Sequence, residues 1–285
     1  MTAATDYVQS RRLGEITVTA INDGSVALPV VLTVPEDVWR HEIGADGDGK
    51  VPVDTHVLLV QSGTATILID AGVDDPGSDW DRRFLEEWPG SARTPGVLAG
   101  LASVGISPED VTHVLLTHTH FDHVVGLAAE RDGRFVPRYP NARVVLGRAD
   151  WENASEEHLE PEQRARIGAI AEAGLLDLLD DEREIVPGVT MIPAPGESPG
   201  HSMVRITSGR ETLYAVGDLF HFAAEVEHPD WMVPWADPGR MHASRRKLLE
   251  DAVSSDALVV FAHARFPPWG RIVEAEQGVL RWQPA

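Results

Sequence analysis

The sequence predicts an α/β fold, in which apolar strands alternate with helical segments. Three observations carry this expectation. Short runs rich in Val, Ile and Leu recur along the chain, bounded by Gly, Pro, Asn or Asp. Between them lie stretches with helix start and stop signals. Histidines and aspartates cluster where strands end, the place where α/β sheets put active groups.

Residues 15–23 (EITVTAIND), 55–63 (THVLLVQSG) and 65–72 (ATILIDAG) read as early strands, the last closing on Asp70. Residues 75–96 break the rhythm with Pro, Gly and charge and are expected to form an exposed excursion. A helix is predicted over 94–105, with Pro95 near its start and Gly105 just past its end. Ser107 then caps a further turn that carries Glu109 and Asp110. The run 111–118 (VTHVLLTH) reads as a buried strand. Further strands are predicted over 141–147, 190–196, 202–209, 212–218 and 257–263, and helices over 161–174 and 241–255. No repeat or low-complexity linker divides the chain, so residues 1–285 are expected to form a single domain.

The composition narrows function. Hydrophobic residues make up 43% and charged residues 24%, enough for a sizeable core. The chain has no cysteine, which excludes thiolate nucleophiles, iron–sulfur clusters and cysteine-bound zinc. A metal site must therefore use histidine and carboxylate. With 45 acidic against 24 basic residues the formal charge is −21, which repels phosphate backbones and argues against nucleic acid as a partner. No secretory signal is evident at the start, and no apolar run would span a bilayer, so a cytoplasmic location without membrane attachment is expected.

The stretch LLTHTHFDHVVG, residues 115–126, follows an apolar run and packs three histidines and an aspartate into six positions. In extended chain, side chains two apart share a face, so His118 and His120 can grip one ion. Phe121 would turn the chain, and Asp122 and His123 would open a helix over 122–130 and point at a second ion. Candidate partners stand at matching places further on. His201 lies in the SPGHS turn, Asp218 closes TLYAVGD and His263 closes ALVVFAH.

With these residues in place the chain resembles the metallo-β-lactamase superfamily of hydrolases. The family pattern H-x-H-x-D-H is met by His118, His120, Asp122 and His123, and the resemblance covers almost the whole chain. It implies a four-layer αβ/βα sandwich with the metals at one edge, between two mixed sheets. It further implies that His118, His120 and His201 bind one metal and Asp122, His123 and His263 the other, with Asp218 bridging. Asp70 resembles the family's aspartate that steadies the metal loop.

Nitrogen and oxygen ligands suit two zinc ions, and manganese, iron or cobalt fit the same ligand types. No G-x-S-x-G elbow is present, so the expected reaction is hydrolysis by a hydroxide held between the two metals. Within the resemblance, Asp218 argues against the zinc β-lactamases. Asp122 stands where flavodiiron-type oxidoreductases usually carry glutamate. The nearest branches are lactonases and organophosphate hydrolases resembling methyl parathion hydrolase, alongside glyoxalase II-like thioesterases. Quorum-quenching lactonases often carry a tyrosine shortly after the bridging aspartate, whereas this chain has His221. The expected activity is cleavage of an ester or lactone in a small apolar molecule. Phosphotriester or thioester hydrolysis is the alternative, and iron-based redox chemistry the more distant one. Asp122 is the expected proton shuttle, and His221 a candidate for contacting the substrate or protonating the leaving group. Phe121, Phe220, Phe222, Trp231, Trp235 and Trp269 are candidate pocket residues, with at least half expected in the core. His41, His56, His113, His158, His228 and His242 fit no ligand pattern. A homodimer is the oligomeric expectation, as is common among relatives.

Overall fold

In a computed structural model of the protein, residues 6–29, 32–43, 50–153, 159–275 and 278–285 are described. His158 lies outside them. Two mixed sheets stack face to face. The first runs in the order Val8–Leu13, Ile16–Pro29, Lys50–Ser62, Ala65–Ile69, His113–Leu115, Arg143–Gly147, Leu176–Leu179, and Ala92–Arg93 pairs with its second strand. Its first four strands are antiparallel; the pairings from Ala65–Ile69 onward are parallel. The second sheet runs Arg183–Val186, Val189–Pro193, Ser202–Ser208, Glu211–Ala215, Leu258–Val260, Gly270–Glu274, Leu280–Pro284. Only the central pairing of Glu211–Ala215 with Leu258–Val260 is parallel there.

The strands lack polar alternation because both of their faces are buried. In the strand Lys50–Ser62, Leu58 and Val60 point to the second sheet and pack with Val204, Ile206 and Val260. Val57 and Leu59 point the other way and meet Leu101 of the helix Gly96–Ser103 and Ile167 and Ile170 of the helix Pro161–Glu172. On the far side Val259 and Tyr214 meet Met241, Leu248 and Ala252 of the helix Pro238–Ser255. Helix, sheet, sheet, helix: the four-layer order that the resemblance implied is observed.

Two expectations are corrected. The excursion at 75–96 is not simply exposed, for it contains a helix, Asp79–Glu87, capped by the Ser78 hydroxyl accepting from Asp81 N–H. Phe84 is buried, and buried Asp81 pairs with Arg93. Pro and Gly flank the helix, and the charges on its exposed face hid the apolar face beside them. The predicted helix over 122–130 is also cut short. It makes one turn, Phe121–Val124, a 3₁₀ turn over Val125–Leu127, and then a strand, Ala128–Arg131, paired with Arg134–Pro137. Gly126 explains the break: its N–H donates to Gly72 O at 2.9 Å, and a Cβ there would sit 2.0 Å from Ala71 O. The backbones meet too closely for a helix to continue.

Candidate metal centre

All seven predicted ligands reach the edge where the sheets face each other, and six of them form two close groups. His118 and His120 leave the first sheet after the strand His113–Leu115. Asp122 and His123 lie on the turn Phe121–Val124. Asp218 sits in a 3₁₀ turn, Gly217–Leu219, after the strand Glu211–Ala215, and His263 follows the strand Leu258–Val260. One backbone bond, Ser202 N–H to Thr117 O at 2.8 Å, links the metal loop to the second sheet. Gly217 adopts φ +53° because a side chain would press within 2.8 Å of His201 and Thr117. The bend lets Asp218 face both groups.

Ligand atoms of His118, His120 and Asp218 lie within 4.8 Å of one another, and so do those of Asp122, His123 and His263. Two donors held about 2.1 Å from one tetrahedral zinc ion stand about 3.4 Å apart. The separations here match that edge. Asp218 Oδ2 is 3.6 Å from His118 Nε2 and 3.3 Å from His263 Nε2, and its Oδ1 is 3.4 Å from His123 Nε2. Asp122 Oδ2 is 3.6 Å from His123 Nε2 and 3.5 Å from His263 Nε2. His123 Nε2 and Asp218 Oδ1 are buried without a hydrogen-bond partner, as donors awaiting a cation would be. The residues fit a pair of divalent ions.

The rings are aimed by partners outside the cluster. Asp70 accepts from His123 Nδ1 at 2.8 Å and from Thr117 N–H at 2.8 Å, which turns His123 Nε2 inward. It does so from a left-handed backbone conformation, φ +62°, the kind of strain retained at functional sites. His263 Nδ1 donates to Asp54 O at 2.9 Å. Burial disfavours charge on His123, yet Asp122, Asp70 and Asp218 together raise it well above the ordinary imidazole range. His263 is raised against burial by Asp218 and Asp122. Asp218 is held well below the usual carboxylate range: burial raises it, but His263, His123, His118 and His221 outweigh this. Burial, with His123 beside it, holds His118 well below the ordinary imidazole range. The cluster as a whole attracts positive charge.

His201 arrives at the site, its ring 5.2 Å from that of His118, but lies outside both ligand groups. Its Nδ1 donates to Ala194 O at 3.1 Å and its Nε2 accepts from Asp218 N–H at 3.2 Å. His221 stands beside the cluster, Nε2 3.4 Å from Asp218 Oδ2, with its ring stacked 5.7 Å from His263. Behind it lie buried Glu225 and Arg245, paired at 2.8 Å.

Above the cluster opens a cavity of about 330 Å³. His120, Asp122, Asp218, His221 and His263 form its floor, and Val26, Leu28, Leu32, Trp88, Phe121, Phe222, Val233 and Trp235 its walls. Three of the six aromatic candidates are therefore pocket residues. Phe220, Trp231 and Trp269 are buried elsewhere. Trp88 and the valine and leucine walls were not foreseen, since they come from segments distant in sequence from the ligands. Glu197 was missed as well. Its side chain is fully buried against His118 and His120, and only its place in the GESPGHS turn beside His201 hinted at it.

The molecule is thus an αβ/βα sandwich that carries a buried histidine–carboxylate cluster, a candidate metal site, on one edge. The chain belongs to the metallo-beta-lactamase superfamily, whose pattern matches residues 51–263. It is 25% identical to an N-acyl homoserine lactonase of Bacillus cereus over 238 residues, 80% of this chain and 84% of the relative. Among solved structures it resembles a probable metal-dependent hydrolase from Staphylococcus aureus, with TM-score 0.81, 22% identity and 96% and 99% of the two chains covered. It also resembles AidC, a dizinc quorum-quenching lactonase solved with its product, with TM-score 0.77, 24% identity and coverage of 98% and 97%.

Proposed function

We propose that the protein is a dinuclear zinc hydrolase that opens an ester or lactone bond in a small, uncharged, largely apolar substrate. The observation that carries this is one carboxylate, Asp218, facing both ligand groups at the floor of an apolar-walled cavity. No lysine or arginine lines that cavity among the described residues, which disfavours anionic substrates such as glutathione thioesters. The lactonase relatives support the same reading.

Two bound divalent cations would supply ionised water at neutral pH and positive charge opposite the substrate oxygen. The protein's own groups do the rest. The walls hold the acyl chain and exclude water, so the reacting carbon settles over the floor. Asp122 borders the cavity and can pass a proton from the attacking water to the leaving oxygen. His221 borders it too, within reach of the substrate's polar end. His120→Ala and Asp218→Ala are each expected to abolish turnover and to reduce bound zinc. Metal analysis and a screen of lactones, aryl esters, thioesters and phosphotriesters at fixed zinc test this. Full turnover by either variant would remove the mechanism, and a preference for phosphotriesters would move the assignment to the alternative that the apolar-walled cavity also suits.

A further inference from the structure

The proposed zinc site leaves one buried carboxylate without a task. Glu197 is shielded from solvent, its Oε2 has no hydrogen-bond partner, and it stands 3.6 Å from His118 Nε2. Its Oε1 lies 3.3 Å from His120 Nδ1 and accepts from the Trp235 indole N–H at 2.8 Å. An unpaired carboxylate oxygen in a dry site costs several kcal/mol of desolvation unless a cation or donor meets it. The two distances bracket the edge of about 3.4 Å between two ligands on one ion, the relation the other donors show.

The loop that carries Glu197 is fixed so as to aim it. Asp150 accepts from Ser198 Oγ at 2.8 Å and from Gly200 N–H at 2.5 Å. Gly196 takes φ +150° where a side chain would strike the backbone of Met241. Both anchors hold the backbone on either side of Glu197. His201, four residues on, has both ring nitrogens engaged by backbone groups of Ala194 and Asp218.

Resting on the dinuclear reading above, we propose that Glu197, rather than His201, completes the first metal site with His118, His120 and Asp218, and that His201 acts on the metal only by positioning Asp218. The first ion then has two nitrogen donors and carboxylates from two residues. That set is harder than one built on three imidazoles and shifts preference toward manganese or iron relative to zinc. It also leaves the pair of ions less electron-poor, because three carboxylates, Asp122, Asp218 and Glu197, surround four positive charges.

The test compares Glu197→Leu, Glu197→His and His201→Ala with the unmodified protein. Zinc stoichiometry and affinity are measured by competition with a chromogenic chelator, and the cobalt-substituted forms by visible absorption, with circular dichroism to check folding. Glu197→Leu is expected to weaken the first ion by more than ~100-fold, beyond what loss of an outer partner costs. His201→Ala is expected to keep two ions and the parent cobalt spectrum, with affinity reduced by no more than ~100-fold. Glu197→His should restore two ions and shift the cobalt bands, because nitrogen replaces oxygen. Retention of both ions by Glu197→Leu within ~100-fold of the parent affinity, an unshifted cobalt spectrum in Glu197→His, or loss of an ion in folded His201→Ala would overturn the assignment. If the unmodified protein itself binds no ions, the dinuclear reading fails instead, so the two failures are separable.

Discussion

Asp70 shows how much of the site is decided one residue away from it. Its carboxylate never reaches the cluster centre, yet it accepts from both His123 Nδ1 and Thr117 N–H, and so sets the direction of a ligand and the start of the metal loop. Asp70→Asn keeps the shape but replaces one acceptor oxygen with an amide that cannot accept. We expect zinc affinity at the second ion to fall by about 10–100-fold, with little change in melting temperature of the metal-free protein. Chelator competition checks this, and an unchanged affinity would reduce Asp70 to a turn residue. At this scale the sequence displayed the histidines and aspartates because clustered imidazole beside an apolar strand is unusual. It did not display Glu197. Glutamate in an acidic chain reads as surface, and only burial against His118 and His120 distinguishes it.

At the scale of elements, close backbone approaches shape the site more than helix propensity does. The segment after His123 carries good helical residues, but Gly126 lies against Ala71 and Gly72, and the chain turns into a hairpin. Gly126→Ala would drive a methyl group into Ala71 O, where the neighbour is backbone and cannot move aside cheaply. A loss of at least about 2 kcal/mol is expected, by analogy with overpacked cores, together with weaker metal binding as His123 shifts. Equilibrium urea unfolding measures the first effect; a parental midpoint would show that the contact relaxes at no cost. The helix Asp79–Glu87 teaches the complementary lesson. Its residues suggested a loop, yet Trp80 and Phe84 pack on Phe121, with ring centroids at 6.1 and 5.8 Å, and so brace the pocket wall.

Over the whole molecule, the candidate metal centre lies where the two sheets meet. His118, His120, Asp122 and His123 come from the first sheet and its loops, Asp218 and His263 from the second. Besides the apolar layer between the sheets, Ser202 N–H to Thr117 O, His263 Nδ1 to Asp54 O and the Asp150 bonds to Ser198 and Gly200 cross that edge. Ions that bind the folded edge and not the unfolded chain therefore act as a clamp. Removing them with a chelator should lower the melting temperature. At free zinc about 1,000-fold above the dissociation constant the folded state should gain about 4 kcal/mol. Differential scanning calorimetry with and without chelator checks this, and coincident transitions would mean that the ions contribute nothing to closing the sandwich.

The sequence alone determined the alternation of strands and helices, because apolar period and turn residues are local properties. It also marked seven candidate ligands, because their chemistry is conspicuous wherever they fold, and six of them fall into two close groups. Only the tertiary structure decided which nitrogen of each histidine faces inward, which carboxylates are buried without partners, and which distant valines, leucines and tryptophans wall the cavity. Those outcomes depend on contacts between segments far apart in the chain, and no window along the sequence contains them.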